Sequence, residues 1–212
     1  MTNQLKIFIA DDHLLIREGL KKLLLYETDL NIVGEADNPD DTISFITQND
    51  VDILILDINL PGKSGLDILK QLKMFKPDLH VLILSMYPEE QYAERSLKAG
   101  AAGYLTKESA TDELINAIRK VAKGGKYISN KLAEKLIFRK NYENELPYES
   151  LSDREFQVLK LMAKGKQQVE IANELNLSTS TINTYRSRIL EKLGLKTNAE
   201  LIHYALDNKL VD

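Results

Sequence analysis

Cysteine is absent from the 212 residues, which excludes disulfides and thiolate metal sites and fits a reducing compartment. Also missing is any apolar run near the ~18 residues that a membrane helix needs. The opening Met1-Thr2-Asn3-Gln4 lacks the basic and apolar segments of a signal peptide and enters a strand-like run directly. The expectation is a cytoplasmic protein with no membrane partner. A strong charge of one sign is lacking too, since 28 basic and 32 acidic residues leave a net charge of −4. Nucleic-acid affinity must then arise locally, and Lys160 to Lys196 supplies seven basic residues against three acidic ones.

What is present has two regimes. Residues 1–123 alternate apolar strands (5–10, 31–36, 52–57, 80–85, 102–106) with helix-period stretches (13–26, 39–48, 64–75, 88–99, 109–123). Near-continuous apolar runs such as Ile53-Leu54-Ile55-Leu56 suit a sheet covered on both faces. Five such repeats predict an α/β fold: a flavodoxin-like, doubly wound, five-stranded parallel sheet of order 2-1-3-4-5. Residues 124–147 read as a linker with a short helix over Lys131 to Arg139. From 148 to 212 the strand pattern stops, and helical periods at 152–163, 167–175, 178–193 and 197–208 predict a small all-α domain.

Parallel strands end at one edge of the sheet, and open α/β sheets place ligand sites there. Asp11 and Asp12 follow the first strand, Asp57 closes the third, Ser85 the fourth, and Lys107 follows the fifth. Carboxylates are hard oxygen ligands for Mg²⁺. Adjacent Asp11 and Asp12 can both point inward only where strand alternation breaks down. Asp57, central in the sheet, is placed as a nucleophile that becomes an acyl phosphate. Lys107 and a divalent cation would offset the charge of the transferring group, and Ser85 would hydrogen-bond its oxygens. Gly62-Lys63-Ser64 mimics the end of a P-loop, but Asp57 stands where the earlier glycine is required. His13 reads as a surface or capping residue.

Ile9-Ala10-Asp11-Asp12-His13, Leu56-Asp57-Ile58-Asn59-Leu60-Pro61-Gly62, Leu84-Ser85 and Gly103-Tyr104-Leu105-Thr106-Lys107 resemble the receiver domain of bacterial response regulators. The likeness spans residues 4–121. It implies that Asp57 accepts a phosphoryl group from a sensor histidine kinase. It further implies that Asp11, Asp12, Asp57 and the Asn59 backbone carbonyl hold Mg²⁺, with Asp11 partly through water. Tyr104 matches the aromatic switch, which is expected to turn inward as Ser85 follows the phosphate. Asn59 and Tyr87 occupy positions that tune hydrolysis of the acyl phosphate.

In the second half, Ser152 and Glu155 have the spacing of a capping box. A short helix at Ile171 to Leu175, a turn at Asn176-Leu177 and a longer helix capped by Ser178 and ended by Gly194 have helix-turn-helix spacing. At ~100° per residue, Ile182, Ile189 and Leu193 share one face of that helix. Thr184, Ser187 and Arg188 lie opposite, with Asn183 at the edge, as base readers in a major groove require. Lys166, Thr179, Thr181, Arg186 and Lys192 are the candidate phosphate contacts. Residues 148–210 are similar to the LuxR-type helix-turn-helix, and the whole chain to NarL/FixJ-type response regulators. That likeness implies double-stranded DNA as a partner, a homodimer on phosphorylation, and a transcription regulator in place of an enzyme, with at most slow self-dephosphorylation. Two rivals keep the same residues: a phosphatase, which lacks a recognisable general acid, and a docking module indifferent to phosphate.

Overall fold

Isoleucine, leucine and valine fill the strands because both sheet faces are covered, and their alternation divides them between two cores. On one side Ile7, Ile9, Ile53, Ile55, Leu82, Leu84 and Leu105 pack with Leu20, Leu24, Leu114, Ile118 and Val121. The alternate residues Phe8, Leu54, Leu56, Val81 and Ile83 are equally buried. This computed structural model describes residues 4–130, 132–134 and 147–211. It separates into two units, Met1–Asn141 and Tyr142–Asp212.

The first unit runs β1 (Leu5–Ala10), α1 (Leu14–Leu24), β2 (Leu30–Ala36), α2 (Pro39–Gln48), β3 (Ile53–Asp57), α3 (Gly65–Phe75), β4 (His80–Ser85), α4 (Glu89–Lys98), β5 (Gly103–Thr106) and α5 (Ala110–Ala122). All strand pairs are parallel, and the order is β2-β1-β3-β4-β5, as the alternation predicts. Register fixes what meets at the C-terminal edge. Ala10 pairs with Leu56, so Asp11 emerges beside Asp57. Ser85 pairs with Thr106, so Lys107 emerges next to both.

A tight loop carries the chain from β3 into α3. Gly62 takes φ +77° in the turn that follows Pro61, and an antiparallel bridge joins Asn59 to Ser64. The amide of Gly65 then donates to the Ile58 carbonyl at 2.8 Å. A Cβ on Gly65 would sit 2.1 Å from the carbonyl oxygen of Asp57. Only glycine lets α3 start this close to the end of β3.

The second unit opens with a 3₁₀ turn, Pro147–Ser150, which the sequence pattern does not predict. Four helices follow: α6 (Asp153–Ala163), α7 (Gln168–Glu174), α8 (Thr179–Leu193) and α9 (Asn198–Asp207). Ser152 and Glu155 form the expected capping box, and Ser178 Oγ accepts the Thr181 amide at 3.1 Å. Between α7 and α8, Asn176 takes φ +52°, a left-handed conformation that asparagine tolerates. α8 ends at Gly194, whose φ of +68° is the usual left-handed stop. Val158, Leu159, Ile171, Ile182, Ile189, Leu201 and Ala205 are buried in this unit. Residues 130 and 132–134 are helical. The rest of the helix expected over Lys131 to Arg139, and the linker residues 140–146, lie outside the described residues.

Candidate functional site

Asp57, Asp11 and Lys107 meet at the C-terminal edge of the sheet. Lys107 Nζ lies 2.8 Å from Asp57 Oδ2 and 2.6 Å from Asp11 Oδ2, and all three side chains are buried. The ammonium thus bridges two carboxylates that would otherwise repel each other at low dielectric. Burial pushes the Asp57 carboxyl above its ordinary value, because desolvation outweighs the pull of Lys107 and Asp11 adds repulsion. Burial opposes charge on Lys107 as well, yet Asp57 and Asp11 overcome it and hold its pKa above the usual lysine range. The backbone amide of Asn59 donates to Asp57 Oδ1 at 3.1 Å.

The acid pair bends out of strand geometry as the sequence requires. The His13 amide donates to Asp11 Oδ1 at 2.8 Å, closing a local turn that lets Asp11 and Asp12 face the same side. One ligand atom each from Asp11, Asp12, His13 and Asp57 falls within a 4.8 Å cluster. Asp11 Oδ2 and Asp12 Oδ1 are buried and accept no aligned hydrogen bond among the described residues. Their close neighbours are the Lys107 ammonium and, at 2.7 Å, His13 Nδ1. Each oxygen has more than one lone pair, so these charge-assisted contacts leave acceptor capacity. Such oxygens fit a hard divalent cation.

Ser85 is fully buried at the end of β4, and its Oγ accepts the Tyr87 amide at 3.1 Å. Tyr104, the expected switch residue, stands on β5. Its ring already lies inside, 2% exposed, and its hydroxyl donates to the Tyr87 carbonyl at 2.8 Å. Burial also pushes the phenol well above its ordinary pKa, so it remains a donor.

Several neighbours escaped the sequence pattern. Arg17 donates to the Asp11 carbonyl at 2.6 Å and is buried. The signal was available, since Arg17 is a charged residue on the core-facing side of α1. Asn59 Nδ2 donates to the Tyr87 hydroxyl at 3.2 Å, linking the two positions expected to tune hydrolysis. Tyr127, just after α5, bridges to β5: its amide donates to the Ala102 carbonyl, and its carbonyl accepts from the Tyr104 amide, each at 3.0 Å. Two residues on, the Ser129 amide donates to Glu89 Oε1 at 2.8 Å.

On α8, Ile182 and Ile189 are fully buried, while Asn183, Thr184, Ser187 and Arg188 are exposed. Thr184 Oγ1 donates to the Ser180 carbonyl at 3.0 Å, and Thr179 is exposed. The remaining candidate phosphate contacts have partners within the chain. Lys192 Nζ lies 2.6 Å from Glu155 Oε2, Arg186 Nε donates to Asn198 Oδ1 at 2.6 Å, and Lys166 pairs with Glu174. Thr181 Oγ1 is 2.7 Å from Ser178 Oγ.

A phosphoryl-type pocket on a 2-1-3-4-5 sheet, followed by a helix-turn-helix unit, defines the class of two-component response regulators. Residues 7–119 match the response regulator receiver domain, and residues 149–205 match the luxR family of bacterial regulatory proteins. The chain belongs to the response regulators, in the NarL/FixJ type. It is similar to the response regulator GacA of Pseudomonas aeruginosa, 34% identical over 210 residues and covering 98% of each chain. It is also similar to the oxygen regulatory protein NreC of Staphylococcus carnosus, 37% identical over 98% of this chain and all of that one. Among solved structures, the RcsB response regulator of Salmonella typhimurium superposes with a TM-score of 0.66 at 28% identity, covering 95% of this chain and 96% of that one. An RcsB–DNA complex matches with a TM-score of 0.60 at 28% identity, over 95% and 98%. No helix among the described residues is long and apolar enough to cross a membrane.

Proposed function

We propose that residues 1–123 receive a phosphoryl group on Asp57 from the phosphohistidine of a sensor kinase, and that residues 148–212 read DNA in response. The observation that carries this is the Lys107 ammonium held between Asp57 and Asp11 in a buried pocket. Asp11, Asp12, Asp57 and the Asn59 carbonyl would hold Mg²⁺, which when bound neutralises charge on the phosphoryl oxygens. Ionised Asp57 attacks phosphorus, the P–N bond of the donor breaks, and the leaving imidazole nitrogen takes a proton from solvent. Lys107 offsets the charge gathered on the equatorial oxygens, and Ser85 exchanges its bond with the Tyr87 amide for one to the phosphoryl group. Water later attacks phosphorus and releases phosphate, slowly, so the chain acts as an acceptor and not as a turnover enzyme.

Movement of Ser85 and Tyr87 reaches the Tyr104 hydroxyl directly, and Tyr127 and Ser129 tie β5 and α4 to the start of the linker. A coupling of about 1–3 kcal/mol through these contacts is enough for a switch. Phosphorylation favours a homodimer that presents two α8 helices to paired half-sites. Asn183, Thr184, Ser187 and Arg188 meet base edges. Lys166, Thr179, Thr181, Arg186 and Lys192 meet phosphates, four of them by exchanging an intramolecular partner for DNA. The exposed polar face of α8 supports this reading, as does the solved RcsB–DNA complex. The place of action is the cytoplasm.

The test is acyl-phosphate labelling of the full chain with acetyl phosphate and Mg²⁺, read by intact mass. One phosphate per chain is expected, and none in Asp57→Asn. Retained label in that variant would remove the assigned nucleophile. DNA affinity unchanged by acetyl phosphate would favour the docking-module rival.

A further inference from the structure

At the N-terminal edge of the sheet, opposite the Asp57 pocket, a cavity of about 270 Å³ opens between the end of α3, the starts of β4 and β5, and the turn after α5. Its walls carry Lys73, His80 and Lys126. Its acidic lining, among the described residues, is Asp78 alone, which is exposed. Both ammonium groups are anchored by backbone carbonyls. Lys73 Nζ donates to the carbonyls of Pro77 at 2.9 Å and Leu79 at 2.7 Å. Lys126 Nζ donates to the Ala101 carbonyl at 2.6 Å. Gly100 gives the first of these stems its room, since a Cβ there would stand 3.3 Å from Lys73 Cγ. An ammonium has three donors, so one on Lys73 and two on Lys126 are left over. Among the described residues neither lysine forms an ion pair.

Two like charges fixed in one small cavity repel each other, and a compact anion between them would relieve that repulsion. Burial and the Lys126 charge push the Lys73 ammonium below its ordinary pKa, and Asp78 makes up only part of the difference. The volume lies below the ~300–1,000 Å³ of most small-molecule sites, so the ligand is small. No Phe, Tyr or Trp is among the lining residues, so charge and not ring stacking does the recognising. We propose that this cavity binds a diphosphate group, each phosphoryl taking the spare donors of one lysine in charge-assisted hydrogen bonds. The His80 ring stands beside it as a further donor. The site is independent of the Asp57 chemistry. Its consequence falls on the linker, because Lys126 precedes Tyr127, whose amide and carbonyl pair with Ala102 and Tyr104. A ligand joining Lys126 to Lys73 fastens the start of that segment to α3.

The experiment is isothermal titration of the tag-free full chain with sodium pyrophosphate at neutral pH and fixed ionic strength. Divalent cations are left out, because they would draw phosphate to the Asp57 pocket. The parent is compared with Lys73→Met and Lys126→Met, which keep the stems and remove the charges. Lys123→Met is the control, an exposed cation of the same turn that does not line the cavity. Losing either lining lysine is expected to weaken pyrophosphate binding about 10- to 100-fold, as loss of a hydrogen bond to a charged group does. Lys123→Met should stay near the parent. A second titration with adenosine diphosphate separates the sources. Binding as tight as that of pyrophosphate assigns the diphosphate end of a nucleotide, and binding of pyrophosphate alone assigns the free anion. Thermal melting checks each fold, and the exposed Lys126 supplies the readout if Lys73→Met does not fold. Pyrophosphate binding undiminished in Lys126→Met, or equally reduced in Lys123→Met, overturns the site. So does a parent that does not bind pyrophosphate.

Discussion

The phosphoryl pocket and the exposed face of α8 are built by opposite means. In the pocket, residues from three loops spaced dozens of positions apart converge, and Asp11, Asp57 and Lys107 are almost wholly buried. On α8, Asn183, Thr184, Ser187 and Arg188 come from six consecutive residues and stand in solvent. The pocket's charges are strong because they are desolvated and fixed before the reaction. The helix face holds no such pre-formed field. On α8 Lys192 and Arg186, and before α7 Lys166, are each engaged by a neighbour in the same unit. Chemistry asks for preorganised burial, whereas reading a groove asks for accessible donors on a rigid helix.

The largest expected effect breaks the pocket through backbone alone. Gly65→Ala places a methyl group against the Asp57 carbonyl, and destabilisation of about 3 kcal/mol or more is expected from overpacking of this kind. Urea unfolding of the full chain measures it, and acetyl-phosphate labelling should fall with it. Full stability in that variant would show that the α3 start can retreat from β3.

An intermediate effect tests the other region by itself. Arg188→Ala is expected to weaken specific DNA binding by about 1–3 kcal/mol, as loss of a base-reading arginine does. Fluorescence anisotropy reads the affinity, while labelling of Asp57 stays at the parent level. A fall in labelling would mean that the two regions do not divide the work as described.

The smallest effect concerns Lys192, a proposed phosphate contact that pairs with Glu155. Burial alone would raise the Glu155 carboxyl, but the Lys192 ammonium and the Ser152 hydrogen bonds outweigh it and hold the pKa below its usual value. A depressed folded-state carboxylate contributes stability above its unfolded pKa of about 4.3 and loses it as pH falls through the folded value. Lys192→Met should therefore cost about 0.5–1 kcal/mol at neutral pH, discounted because the lysine is partly exposed. That cost should fade below about pH 4 as the parent also loses the pair. A gap that widens on acidification would show that Lys192 acts through packing and not through charge.

The strand-end positions of Asp11, Asp12, Asp57, Ser85 and Lys107 were legible because side-chain period and chain reversal are local properties. They depend on backbone sterics, apolar spacing and residues such as Pro61, Gly62 and Gly194. The helical caps were legible for the same reason, since Ser152 and Ser178 satisfy amides three residues away. Tertiary structure alone decided the rest. It brought Glu155 to Lys192 across 37 positions, Tyr127 to β5, and Asn59 to Tyr87. It also turned Tyr104 inward onto a carbonyl that nothing in the sequence marks as an acceptor. Such pairings depend on rotamers and on which distant backbone groups remain unsatisfied after the core has packed. Periodicity carries no information about that.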